Sequence, residues 1–128
     1  RQAVVGAPPP APAPEAAAEP AARTLLLDAQ GLRLAGDVLL SDGASVGDAV
    51  AAELAGVSRE ALRATRLLDL GQWQHLSAES PDGTMLLLAP TPSTALFLVR
   101  APDVPVGRVA LEAEQTARTA RSWLERLA

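Results

Sequence analysis

The chain has no cysteine, lysine or tyrosine among its 128 residues, and only one histidine, one phenylalanine and two tryptophans. Without Cys there is no thiolate nucleophile, iron–sulfur cluster or Cys-based zinc site. Without Lys there is no Schiff base and no P-loop lysine. All eleven basic residues are Arg; beside so much Ala, this reads as a mark of GC-rich coding rather than of a function. His75 stands alone, so no metal is expected, and no cofactor either. A net charge of −4 with 2% aromatic residues argues against nucleic acid, whose binders need a basic face and stacking rings. No apolar run approaches the roughly 20 residues of a membrane span, so no membrane insertion is expected. A cysteine-free chain is compatible with the cytoplasm, and a cytoplasmic protein is expected. Signal-peptide features are missing, and a chain opening on Arg1 in place of Met is expected to have lost its true start.

What is present divides sharply. Six of the eleven prolines fall between Pro8 and Pro20, in a Pro/Ala run with no hydrophobic period. Residues 1–22 are therefore expected to be a disordered tail or linker. Residues 23–128 are expected to form one domain, in a chain whose 48% apolar and 20% charged composition supports a core without disulfides or metal.

The pattern in that domain reads ββαβββα. Residues 24–28 are a short apolar strand, and Gly31 follows where a tight hairpin needs a positive φ. Residues 32–38 form the second strand. Ser45, with Asp48 three residues on, resembles a helix N-cap. The period then turns helical to about Leu68, with Val46, Ala49, Val50, Val57, Ala61, Ala64 and Leu68 on the face assigned to the sheet. Strands follow at residues 72–80, 84–89 and 94–100. The final helix carries Val106, Val109, Ala110, Ala113, Ala117, Ala120, Leu124 and Leu127 as a stripe, with Trp123 on its flank. Strands apolar on both sides belong at the centre, and polar or alternating ones at the edges. The hairpins then give the order 2-1-5-4-3. The expected fold is α/β, a three-layer α/β/α sandwich around a five-stranded antiparallel sheet.

The most tempting catalytic motif is Gly43-Ala-Ser-Val-Gly47, a G-x-S-x-G, with Asp69 and His75 following in Ser…Asp…His order. A hydrolase of that type needs a mainly parallel sheet and a longer chain, so a small serine hydrolase is the last of three readings. The acidic residues of the final helix, Glu112, Glu114 and Glu125, sit among arginines and read as a solvated face. On the first helix, the face opposite the assigned stripe holds Ala51, Ala55, Leu62 and, at the side, Gly56. Small residues there would let a second helix approach, unless Ala is merely frequent in this composition. The strand at residues 72–80, with Gln74 and Leu76, leaves an edge without Pro or Lys to protect it. A homodimer built on Ala51, Ala55, Gly56, Leu62, Gln74 and Leu76 would cover both surfaces. Arg59, Arg63 and Arg66 would flank the seam and be available to a partner.

The order of these elements, with several motifs, resembles the Roadblock/dynein light-chain domain family, of roadblock/profilin-like fold. The resembling pieces are Leu25-Leu-Leu-Asp-Ala-Gln-Gly-Leu-Arg-Leu-Ala35, Glu53-Leu-Ala-Gly-Val57, Asp82-Gly83 before an apolar strand, and Pro105-Val-Gly-Arg-Val-Ala-Leu111. They span roughly residues 23–128 and look like the bacterial members that accompany Ras-like GTPases, of the gliding-motility partner type. The resemblance implies a non-catalytic homodimeric scaffold that dimerises through the long helix and an adjoining edge strand. It also implies a Ras-like small GTPase as partner, whose GTP cycle or localisation the scaffold modulates. A structural or sensory adaptor without a GTPase is the alternative. One departure stands out. Family members usually begin with an amphipathic helix before the first strand, where this chain has its Pro/Ala run.

Overall fold

In the computed structural model, which describes residues 23–127, the first turn is set by Asp28. Its Oδ1 accepts the N–H groups of Gln30 (2.9 Å) and Leu32 (3.0 Å), an Asx turn closed by its own side chain. Gly31 takes φ = 88°, the left-handed region that a residue without Cβ enters freely. This turn joins β1 (Arg23–Asp28) to β2 (Arg33–Val38), with a bulge at Leu26/Leu27. Leu32 therefore belongs to the turn rather than to the strand. The expected tail, residues 1–22, lies outside the described residues.

The remaining elements are α1 (Gly47–Leu67), β3 (His75–Ser80), β4 (Gly83–Leu88), β5 (Thr94–Arg100) and α2 (Val106–Leu127). All strand pairs are antiparallel, in the order β2-β1-β5-β4-β3. This is the order expected from the two-sided apolar strands. Leu25, Leu27, Leu87 and Phe97 face α1, while Leu26, Leu86, Leu88, Leu96 and Leu98 face α2. Each such leucine contributes about 1.5–3 kcal/mol by leaving water. The helices do not cover the sheet evenly. α1 lies across β1 and β2, and α2 across β4 and β5.

β3 is shorter than expected because Trp73 leaves the strand line to enter the core. Its ring is buried, and its Nε1–H donates to the Ser58 carbonyl at 3.3 Å. The stripe of α2 is also shorter. Val109, Ala113 and Ala117 are buried and Ala120, Trp123 and Leu124 partly so, whereas Val106, Ala110 and Leu127 are exposed.

Charged residues fix both helices to the sheet. Ser45 does not cap α1, whose N-cap residue is Val46 without a side-chain bond. Asp37 of β2 supplies the missing acceptor instead, taking the Gly47 N–H at 3.1 Å and the Val38 N–H at 2.7 Å. Ser45 donates its hydroxyl to the same carboxylate at 2.7 and 2.9 Å, and Arg33 pairs with it at 3.1 Å. A Cβ at Gly47 would collide with that carboxylate. The Ser45 hydroxyl above all, then the Val38 N–H, the Arg33 charge and the Gly47 N–H, hold the Asp37 carboxyl below its ordinary range. On the other face, Arg100 of β5 makes a two-pronged pair with Glu112 of α2, at 3.0 and 2.9 Å. It also reaches the Arg23 carbonyl at 3.3 Å. Glu112 is therefore an anchor rather than part of a solvated face, as the isolated helix pattern had implied.

Two outcomes are expected. Leu27→Asp or Leu87→Asp places an unpartnered charge in the core and should abolish cooperative thermal unfolding; a soluble variant with a sharp melt would contradict the burial. A carboxyl whose folded pKa is depressed adds stability above its unfolded value, and loses it as pH falls through the folded one. Asp37→Ala should therefore lower Tm at pH 7, with the gap from the parent closing below about pH 4. Equal melting temperatures at pH 7 would overturn the role given to Asp37.

Candidate protein–protein interface

The hydrolase constellation is not assembled. Ser45 bridges to Leu39 just beyond β2 and gives its hydroxyl to Asp37. His75 opens β3, at the opposite edge of the sheet. Four strand spacings separate those edges, about 19 Å, too far for a serine and its base to share a hydrogen bond. Asp69 sits beyond α1 with φ = 61°. The letters G-x-S-x-G here describe the loop that delivers Ser45 to Asp37. Among the described residues there is no group of three or more His, Cys, Asp or Glu side chains that could hold a metal ion.

The face of α1 assigned to the sheet needs correction. Ala51 and Ala55, expected at a dimer surface, are 0% and 3% exposed and belong to the chain's own core with Leu54. Val57, expected inside, is 47% exposed, and Ala49, Ala64 and Leu68 are exposed too. The reason is the first hairpin. A Cβ built on Gly31 would stand 3.0 Å from the Ala52 Cα and 3.3 Å from the Ala55 Cβ. The small residues of α1 admit the hairpin of the same chain rather than a foreign helix.

With the helix turned this way, its two flanks differ in kind. Successive residues are 100° apart on a helix, which sets Val57 on the flank toward β3 and β4. There Leu54, Val57, Leu76, Ala78, Met85 and Leu87 line an apolar groove of about 220 Å³. Met85 is 45% exposed. This groove adjoins the outer edge of β3, which has no neighbouring strand among the described residues. Of the residues expected at a dimer seam, Leu76 lies in the groove, and Gln74 is exposed just before β3. Gly56 is half-buried on the outer ridge, with only the Arg59 guanidinium near its Cβ position, at 4.0 Å. Leu62 is half-buried against the core. Val57 and Met85 went unrecognised in the sequence, although Met85 shares its strand face with Leu87.

Arg59, Arg63 and Arg66 occupy the other flank, toward the β1–β2 turn, and so do not border this groove. Arg59 donates to the Ala29 carbonyl at 3.3 Å, and Arg63 pairs loosely with Glu60 at 3.5 Å. The Arg66 side chain has no hydrogen-bond or ion-pair partner among the described residues. The three line a hollow of about 470 Å³ with Leu62 and Leu67, the latter 82% exposed. The arrangement is a basic surface with an apolar floor. No described helix is long and apolar enough to cross a membrane.

No family model matches the sequence, and no curated protein matches it. Solved structures do. Myxococcus xanthus MglB superposes with a TM-score of 0.75 at 14% identity, over 84% of this chain and 80% of that one. An MglB with a tetrameric arrangement gives 0.76 at 22% identity, over 89% and 85%. A Roadblock/LC7 domain from Streptomyces avermitilis gives 0.70 at 19% identity, over 83% and 87%. With element order, strand order and helix placement already established, the chain has the Roadblock/LC7 fold in the form that MglB takes.

Proposed function

We propose that this chain is a non-catalytic homodimeric scaffold that binds a Ras-like small GTPase in the cytoplasm and modulates its GTP cycle or its localisation. The observation that carries the dimer is the apolar groove of Val57, Leu76 and Met85 beside the open edge of β3. An exposed apolar groove and an unpaired strand edge are each a liability for a lone protomer. A two-fold axis past β3 removes both, setting β3 against its copy and Val57 against the copy's groove. The likeness to MglB in fold supports the GTPase, as does the basic flank of α1. In such a dimer Arg59, Arg63 and Arg66 lie away from the axis and remain free for an acidic partner surface.

Light scattering and pull-down test the two halves separately. The parent should be a dimer at tens of micromolar, and Val57→Arg should yield a folded monomer; a parent monomer, or a dimeric Val57→Arg chain, overturns the interface. Ala55 is not a suitable probe, since Arg at that buried position would disrupt the fold itself. Arg63→Glu with Arg66→Glu should keep the dimer and weaken capture of a co-expressed small GTPase at least about tenfold, roughly 1.4 kcal/mol. Undiminished capture removes the basic flank from the binding surface. A chain that captures no small GTPase would favour the adaptor reading.

A further inference from the structure

The first hairpin meets α1 at Ala52 and Ala55 and again at Arg59, which donates to the Ala29 carbonyl. The residues from Arg59 to Leu67 carry the helix about 12 Å further along its axis. At that end Leu67, Leu68 and Leu70 are 82%, 68% and 68% exposed. Leucines exposed singly are ordinary on a protein surface, but a cluster of them is not. Nor do they ride on a loose end. The Leu68 N–H donates to the Ala64 carbonyl at 3.1 Å, that of Asp69 to Arg66 at 3.1 Å and that of Leu70 to Thr65 at 2.8 Å. The last two bonds make a Schellman motif, in which the residue after the cap is left-handed and usually glycine. Asp69 fills that place at φ = 61°. The motif ordinarily lays its last apolar residue against one in the final helical turn. Here Thr65 stands opposite, and Leu70 stays in water. A strained turn, closed by backbone bonds, thus holds out leucines that the chain's own core does not use.

The chemistry beside the leucines selects the occupant. Arg59, Leu62, Arg63, Arg66 and Leu67 recur at the spacing of one helix face, so guanidinium groups border the apolar tip. The Asp69 carboxylate lies between Leu68 and Leu70 in the chain and has no hydrogen-bond or ion-pair partner among the described residues. A lipid surface suits this set poorly, because the carboxylate would enter the apolar layer with the leucines, past anionic headgroups. A second copy would set arginines against arginines, and like charges brought together disfavour association. A protein surface with an apolar cleft and an acidic rim suits both the leucines and the arginines. We propose that Leu67, Leu68 and Leu70 are the apolar anchor by which α1 engages its protein partner, entering a cleft with an acidic rim and a hydrogen-bond donor for Asp69. This rests on the basic flank being the partner-binding surface, and it divides the work of that surface in two. Charges at a rim govern encounter, whereas buried apolar anchors govern residence.

Surface plasmon resonance between the full chain and a small GTPase that it captures tests this. Leu67→Ser with Leu70→Ser should speed dissociation at least about tenfold and leave the association rate and its salt dependence unchanged. Arg63→Glu with Arg66→Glu should instead slow association and flatten its dependence on salt. The leucine variant should melt with the parent, since the fold buries neither side chain; a lower Tm would show that the leucines serve the fold and overturn the proposal. In the free full chain, a soluble paramagnetic probe should broaden the methyl signals of all three leucines at every protein concentration. Shielded methyls mean a tip already covered, by a second copy where shielding grows with concentration, and overturn the proposal. So does parent binding to phosphatidylserine vesicles that the leucine variant loses, which assigns the tip to lipid. A dissociation rate unchanged in the leucine variant, with capture weakened only by the arginine reversals, removes the anchor and leaves the basic flank standing. A parent that captures no small GTPase removes that reading and the anchor with it.

Discussion

Three strands of this domain are apolar on both faces, and only two helices are present among the described residues to cover them. β1, β5 and β4 bring leucines to each side of the sheet, so a helix is needed above and another below. A helix is about 10 Å wide and spans only two strands of a five-stranded sheet. α1 takes the β1–β2 half of one face, and α2 takes the β4–β5 half of the other. Among the described residues, coverage is therefore diagonal. The two halves left over are the two apolar grooves, one beside β3 and one beside Trp123. Neither is an incidental pit, since each follows from the number of strands and the placement of the helices.

The position of each helix is fixed by one close contact and one charged anchor. α1 comes down on the first hairpin where Gly31 meets Ala52 and Ala55, and bulk on either side would lift it away. The Asp37 carboxylate then ties the start of α1 to β2 through the Gly47 N–H. α2 rests its small residues Ala113 and Ala117 on the leucines of β4 and β5, while Arg100 grips Glu112. The Arg100 side chain is only 11% exposed. Removing Glu112 would leave a largely buried guanidinium without its counter-charge, a stronger perturbation than loss of a surface pair. Both anchors join a strand to a helix distant in sequence, so they report tertiary placement and not helix propensity.

That distinction explains what could be read from the amino-acid order. The strand order was legible because runs such as Leu25-Leu-Leu27 and Leu96-Phe-Leu98 are apolar at consecutive positions, which only a strand buried on both faces tolerates. The rotation of α1 was not legible. Valines at 46, 50 and 57 suggested one inner face, yet the hairpin turn demanded small side chains beneath it and drew Ala51 and Ala55 inward. Periodicity gives the width of an apolar face, and the neighbour decides which residues it contains. Asp37 and Glu112 were silent for a related reason, since nothing local distinguishes an acidic residue that caps another element from one facing water. Trp73 gave a partial signal, a large aromatic at the start of an otherwise polar strand.

The corrected rotation also changes what a dimer would do with the basic residues. Had Ala51 and Ala55 faced outward, the arginines would have bordered the seam, and packing two protomers would have drawn like charges together. With Val57 and Met85 as the exposed apolar pair, the proposed seam would fall on one flank of α1, with Arg59, Arg63 and Arg66 on the other. A two-fold axis then repeats the basic flank on both outer sides of the assembly, separated by the paired helices. Desolvation is confined to carbon at the axis, where burial is favourable. The charges stay in water, where they steer a partner at little cost. In the proposed dimer, self-association and partner capture would therefore draw on different flanks of one helix, and neither surface would be used up by the other.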